Sequence, residues 1–151
     1  MSIIKQIETD FISAFKGKQE TEVSVLRMLK SALKNEQIAL SGAKAEDLAD
    51  ADAQKVIKTE IKKRRDSIAE YEKAGRQDLA DHEKIEIPIL EKYLPQQLSE
   101  AEVESKIESV LAGLTEAEKA NFGKAMGAVM KEIGNSADGN MVRQILQKKL
   151  S

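Results

Sequence analysis

Apolar side chains return every three or four positions along almost all of this chain, and no stretch alternates long enough to build a strand. That pattern restricts the fold to packed helices. Two prolines leave few obligatory breaks. Ile3, Ile4, Ile7, Phe11 and Phe15 predict a short amphipathic helix that ends near Gly17. Leu26, Leu29, Leu33 and Leu40, widened by Val25, Met28 and Ala32, predict a second helix closed by Gly42, with a polar loop over 41–50. A long third helix over about 52–74 carries Val56, Ile57, Ile61, Ile68 and Tyr71 on its apolar side. Gly75 suits its C-terminal cap, because glycine enters the left-handed region at least cost. A fourth helix carries Leu79, Ile85, Ile87, Ile89, Leu90 and Leu94. Pro88 inside it removes a backbone donor, so a kink or a break is expected there.

The clearest boundary follows. Pro95 stops one helix, and Ser99 with Glu102 has the capping-box spacing that starts the next. Thr115 and Glu118 repeat that signature before a short helix or turn. Residues 123–134 read as a helix, and Asp138-Gly139 opens a last one with Met141, Val142, Ile145, Leu146 and Leu150 facing inward. The expectation is an all-α protein of two multihelical domains, a larger N-terminal one over 1–95 and a smaller C-terminal one over 96–151. The second is small enough to be marginal alone, so it is expected to pack against the first.

Several function classes drop out on composition. There is no cysteine, which excludes disulfides, thiolate metal sites and cysteine nucleophiles. Lys and Arg number 24 against 26 Asp and Glu, so bulk charge does not make this a nucleic-acid coat. The first residues lack the apolar h-region of a secretory signal, and no run approaches a membrane span. A cytoplasmic protein with no membrane partner is expected. No Gly-rich phosphate loop, dinucleotide fingerprint or nucleophile elbow occurs. The sequence shows no self-contained catalytic apparatus, so it names no catalytic residue, cofactor or metal.

The strongest charge feature is Lys55, Lys58, Lys62 and Arg65, whose steps of three and four place them on one stripe of the third helix. Lys63 and Arg64 broaden it, and Arg27, Lys30 and Lys34 form a similar stripe on the second helix. If the two helices pair, the stripes line one positive groove able to track a phosphate backbone. The competing reading is a solvated face neutralised by Glu60, Asp66 and Glu70. Asp78, His82 and Glu86 share a helical face, a trio that would hold a divalent metal only with ligands from elsewhere. Ordinary spacing along a charged helix surface is the favoured reading. Gly123 and Gly127 stand four apart, the spacing that lets another helix approach closely.

Four segments, taken together, resemble the YqeY family over essentially the whole chain. They are Ile61-Lys-Lys-Arg-Arg-Asp-Ser-Ile68, Gly75-Arg76-Gln-Asp-Leu79, Glu91-Lys-Tyr93-Leu94-Pro95-Gln-Gln-Leu98-Ser99 and Gly123-Lys-Ala-Met126-Gly127. Residues 123–150 are also similar to the C-terminal tail of the GatB subunit of the tRNA-dependent amidotransferase, which helps hold the tRNA. The resemblance implies an all-α fold with a larger N-terminal and a smaller C-terminal domain. It implies tRNA binding by an accessory module, with any glutamine-dependent carbon–nitrogen ligase activity inherited by association. Tyr93, Leu94, Pro95 and Gly127, shared with the family, read as a domain hinge and a close helix contact.

Two surfaces are candidates for tRNA: Lys55, Lys58, Lys62 and Arg65 on the long helix, and Lys124, Lys131 and Arg143 in the tail-like module. The alternative is a protein–protein adaptor that offers a groove near Tyr93 and Pro95 to a partner such as an amidotransferase component.

Overall fold

The computed structural model of the protein describes residues 1–41 and 48–151, and every element among them is helical. The helices are α1 (Ile3–Lys16), α2 (Glu20–Ser41), α3 (Asp50–Lys73), α4 (Gln77–Glu91), α5 (Glu100–Ala112), α6 (Glu116–Ala120), α7 (Phe122–Ile133) and α8 (Gly139–Leu150). A short 3-10 turn, Gly134–Ser136, follows α7. The expected closure by Gly42 and most of the loop over 41–50 lie outside the described residues.

The chain gathers into two compact units, Met1–Leu94 and Pro95–Ser151, each with its own apolar core. In the first, α1 and α2 form one hairpin and α3 and α4 another. Ile7, Leu26, Leu29, Ile57 and Leu90 are fully enclosed where they meet. In the second, α5 packs on α7 and α8 around Val103, Ile107, Val129, Val142 and Leu146. Fully burying a side chain of this size stabilises by roughly 1.5–3 kcal/mol, so each core supplies most of its unit's driving force.

Local signals fix most of the ends. Ser99 accepts from the Glu102 N–H while the Glu102 carboxylate accepts from the Ser99 N–H, completing the expected capping box. Thr115 and Asp138 cap α6 and α8 in the same sense, and Ser2 caps α1. Gly75, at φ 72°, turns the chain from α3 into α4 in the left-handed region, where a side chain would be strained. Pro88 does not break α4. The helix runs on to Glu91, so the missing donor falls in its last turn and frees only one carbonyl upstream.

Candidate functional site

The α3 stripe is only partly available. Lys62 Nζ pairs with Asp66 Oδ2 at 3.0 Å, and Arg65 Nη2 reaches Glu91 Oε1 on α4 at 3.3 Å. Lys58 is half-buried and already engaged within the chain. Lys55 is exposed and forms no ion pair among the described residues.

Arg64, which the sequence groups with this cluster, points the other way. Its residue exposure is 5 %, its Nε donates to Glu86 Oε2 at 3.0 Å, and its Nη1 reaches Glu60 Oε2 at 3.3 Å and the Glu60 carbonyl at 3.1 Å. Glu60 and Glu86 are buried with it. Arg64 therefore rivets α3 to α4 and offers nothing to a ligand. The same network takes up Glu86, leaving its Oε1 3.8 Å from His82 Nε2, while Asp78 pairs with Arg76. The Asp78–His82–Glu86 trio does not converge, and no cluster of three metal-ligating side chains occurs among the described residues.

Arg27, Lys30 and Lys34 border a cavity of about 550 Å³ between α1 and α2, whose described lining contains no α3 residue. Lys30 Nζ lies 4.6 Å from the centroid of the Phe11 ring and Arg27 Cζ 5.9 Å, both within cation–π range. Phe15 continues the apolar strip, its ring 6.4 Å from that of Phe11. The spacing places Phe11 and Phe15 on the apolar side of the first helix, yet Phe11 is only partly buried and Phe15 is exposed. The available signal was that Ile4, Phe11 and Phe15 share one side of α1, offset from the Ile3, Ile7 and Ala14 stripe that the core buries.

In the second unit Ala125, Val129 and Ile133 are the buried side of α7. Lys124, Gly127 and Lys131, at steps of three and four, occupy the opposite side and are exposed. Neither lysine, nor the exposed Arg143 on α8, forms an ion pair among the described residues. A Cβ built on Gly127 would meet nothing within 4 Å, and one on Gly123 only the Asn121 side chain at 3.4 Å. The four-residue glycine spacing thus marks a bare outward helix face, not a close approach by another helix of its unit. Elsewhere Lys149 bridges Glu104 at 2.8 Å and Glu108 at 2.6 Å, and these two hydrogen bonds push its ammonium up to about 12.

Tyr93 is buried rather than displayed. Its hydroxyl donates to Asp10 Oδ2 at 2.6 Å, and Lys92 Nζ reaches the same oxygen at 3.1 Å. Leu94 closes the turn that ends α4 through its N–H to the Glu91 carbonyl, and Pro95 begins the second unit.

Comparison with known proteins gives the family. A model described as Yqey-like protein matches residues 4–150. Among curated relatives, the protein named altered inheritance of mitochondria protein 41, mitochondrial, from Lachancea thermotolerans is 32% identical over 113 residues, covering 74% of this chain and 59% of that protein. Its namesake in Pyrenophora tritici-repentis is 27% identical over 149 residues, covering 97% of this chain and 80% of that protein. The Saccharomyces cerevisiae protein of that name is 30% identical over 113 residues, covering 74% and 60%. The chain thus spans about three-fifths of the length of the Lachancea and Saccharomyces proteins.

These names overturn the cytoplasmic expectation, since the relatives are mitochondrial by name. The sequence argument had excluded only a secretory h-region and a membrane span. Mitochondrial targeting segments are amphipathic and rich in Arg and Ser, so neither criterion separates the two compartments. No helix among the described residues is long and apolar enough to cross a membrane. With one family model running from residue 4 to residue 150, the chain belongs to the YqeY family.

Proposed function

We propose that the chain is a tRNA-binding accessory module that grips the nucleic-acid backbone through its C-terminal unit. The observation that carries this is the outer face of α7, where Lys124 and Lys131, which form no ion pair among the described residues, stand beside the bare backbone of Gly127. A phosphate backbone can approach such a helix closely because no side chain holds it off, and unpaired cations keep their full charge for phosphate. Arg143 on α8 adds a third cation in the same unit with no ion pair among the described residues. The likeness of residues 123–150 to the tRNA-holding GatB tail supports the same unit. The α3 stripe is the weaker surface, because Lys62 and Arg65 already hold carboxylates.

On this reading residues 1–95 and 96–151 are two domains with separate tasks, scaffold and tRNA grip. The contribution to glutamine-dependent amidotransfer is that of an auxiliary factor, with the chemistry in its partners. The rival reading is an adaptor that offers a groove near Tyr93 and Pro95 to a partner, to which Tyr93, only 4 % exposed and with its hydroxyl already bonded, lends little contact surface.

Fluorescence anisotropy of labelled tRNA, beside duplex DNA of equal charge, tests the reading at about 50 and about 150 mM salt. Affinity tighter than the non-specific range of about 10⁻⁴–10⁻⁶ M, with tRNA preferred, is the expected result. Charge reversal of Lys124 and Lys131 then lowers the log–log salt slope by about 0.7–0.9 for each phosphate that no longer meets a lysine. Equal weak binding to both nucleic acids that vanishes at the higher salt, or an unchanged slope in the variant, overturns it.

A further inference from the structure

The α1–α2 groove is not used by that reading, and its chemistry differs from that of a phosphate-binding surface. Its floor and one wall are apolar, with Ile4 and Phe11 of α1 partly exposed, and Phe15, 62 % exposed, extends the strip beyond it. Its other wall is cationic, with Arg27, Lys30 and Lys34 at steps of three and four along α2. None of the three forms an ion pair among the described residues, and Glu8 is the one acidic side chain among the described lining. Two of the cations rest against the Phe11 ring, which places charge beside apolar surface instead of spreading it into water. One turn past Lys34 on the same side of α2 stands Ile38, 50 % exposed.

We propose that this groove is a docking site for an acidic amphipathic helix of a partner protein. Both walls are written with helical periodicity. The apolar residues fall at 4, 11 and 15 on α1 and the cations at 27, 30 and 34 on α2. A third helix laid along the hairpin meets both in register, its apolar stripe on Phe11 and Phe15 and its carboxylates on Lys30 and Lys34. From residue 4 to residue 15 the apolar strip runs about 16 Å, close to three helical turns. A compact anion would neutralise one end of the cationic row and leave Phe15 exposed. A nucleic-acid backbone would meet the cations and bury none of the apolar strip. Only an amphipathic helix satisfies the whole length of both walls, and charge complementarity fixes its sign.

The probe is a fluorescein-labelled synthetic peptide of about 18 residues, long enough to hold helix, with leucines on one helical stripe and glutamates elsewhere. Its controls are a scrambled acidic sequence and the same stripe with lysines in place of glutamates. The full-length protein is titrated in each case by anisotropy. Binding of the acidic stripe peptide in preference to both controls is expected, weakened about tenfold or more in the Lys30→Glu/Lys34→Glu protein. Phe15→Ala, a change at an exposed position, is expected to weaken it severalfold with unchanged helical circular dichroism. A benzophenone side chain placed at position 15 should cross-link the bound peptide. Equal binding of the scrambled control, or an unchanged affinity in the charge-reversed protein, overturns the proposal. So does loss of tRNA binding instead of peptide binding in that protein, which would assign the cations to nucleic acid. Saturation of the site by laurate with no peptide bound overturns it too, by assigning the groove to a small amphiphile. Because Lys124 and Lys131 are untouched in these variants, failure by lost peptide selectivity, by unchanged affinity or by laurate leaves the C-terminal tRNA reading standing, whereas loss of tRNA binding would count against both.

Discussion

The Tyr93 hydroxyl donates a 2.6 Å hydrogen bond to Asp10 Oδ2, joining residues 83 apart in sequence and tying the end of α4 to α1. Partial burial disfavours the charged form of Asp10, but the bonds from Tyr93 and Lys92 and the Lys92 charge outweigh it and hold the carboxyl below its usual range. Burial first, then the bond to Asp10, pushes the Tyr93 phenol well above its usual value. The consequences have opposite signs in pH. The Asp10 contribution is present above the unfolded carboxyl value and is lost as acid protonates the folded form. The Tyr93 contribution is present below the ordinary phenol value of 10 and is lost as pH rises beyond it.

Tyr93→Phe should therefore cost about 1 kcal/mol at neutral pH, the net value of one hydrogen bond, while Lys92 keeps Asp10 partnered. Above pH 10 the wild-type protein loses the phenol's contribution and the phenylalanine variant has none to lose. The gap between their urea midpoints is expected to narrow there. A gap that stays constant across that range would show that the hydroxyl stabilises only through packing.

Arg64 makes a sharper prediction. One buried guanidinium bridges two buried carboxylates, Glu86 and Glu60, the latter also held by Lys63 at 3.2 Å. Breaking such a network by removing one partner costs about 3–5 kcal/mol, against a total of roughly 5–15 kcal/mol for a whole domain. Arg64→Met should lower the thermal midpoint of the N-terminal unit more than Glu86→Gln, because the arginine change takes the guanidinium from buried Glu86 and leaves Glu60 only Lys63, while the glutamine change leaves Arg64 bonded to Glu60. Lys62→Met, at an exposed i,i+4 pair with Asp66, should change stability by less than about 0.5 kcal/mol and barely move the midpoint. If the three variants melt alike, Arg64 is not the rivet its contacts make it.

Lys149 provides the corresponding test in the C-terminal unit. Held between Glu104 and Glu108, its ammonium is raised to about 12, so its contribution is complete below the ordinary lysine value of 10.5 and lost as pH rises through about 12. Lys149→Met should destabilise the α5–α8 pairing in low salt. The difference from wild type should shrink in about 1 M salt, where the screening length falls to about 3 Å. A difference indifferent to both salt and pH would mean that the lysine stem, packed along α5, does the work.

Sequence alone exposed what is local. Ser99 and Glu102, Thr115 and Glu118, and Gly75 announce their turns because each cap is satisfied within a few residues. What surrounds a helix side is a different matter. Arg64 sits in a run of four basic residues, Lys62, Lys63, Arg64 and Arg65, and it turns inward to Glu86, 22 positions away, as well as to Glu60. Tyr93 looked like a hinge because its partner Asp10 lies 83 positions back. The Gly123 and Gly127 spacing was legible, but spacing reports which residues face together and not whether a helix lies opposite.

Gly127 turns that last point into a test. It lies within α7 on the exposed side, and a Cβ there meets nothing within 4 Å, so alanine fits the backbone without strain. Gly127→Ala should stabilise the C-terminal unit by about 0.5–1 kcal/mol, through helix propensity and a less entropic unfolded chain. Gly127→Leu should fold as well, but it raises a side chain between Lys124 and Lys131 where a phosphate backbone would lie. If tRNA uses this face, the leucine variant binds it several times more weakly than the alanine variant while melting at a similar temperature. If the two variants bind tRNA equally, the bare face of α7 is not where the nucleic acid rests, and Arg143 on α8 becomes the residue to reverse next.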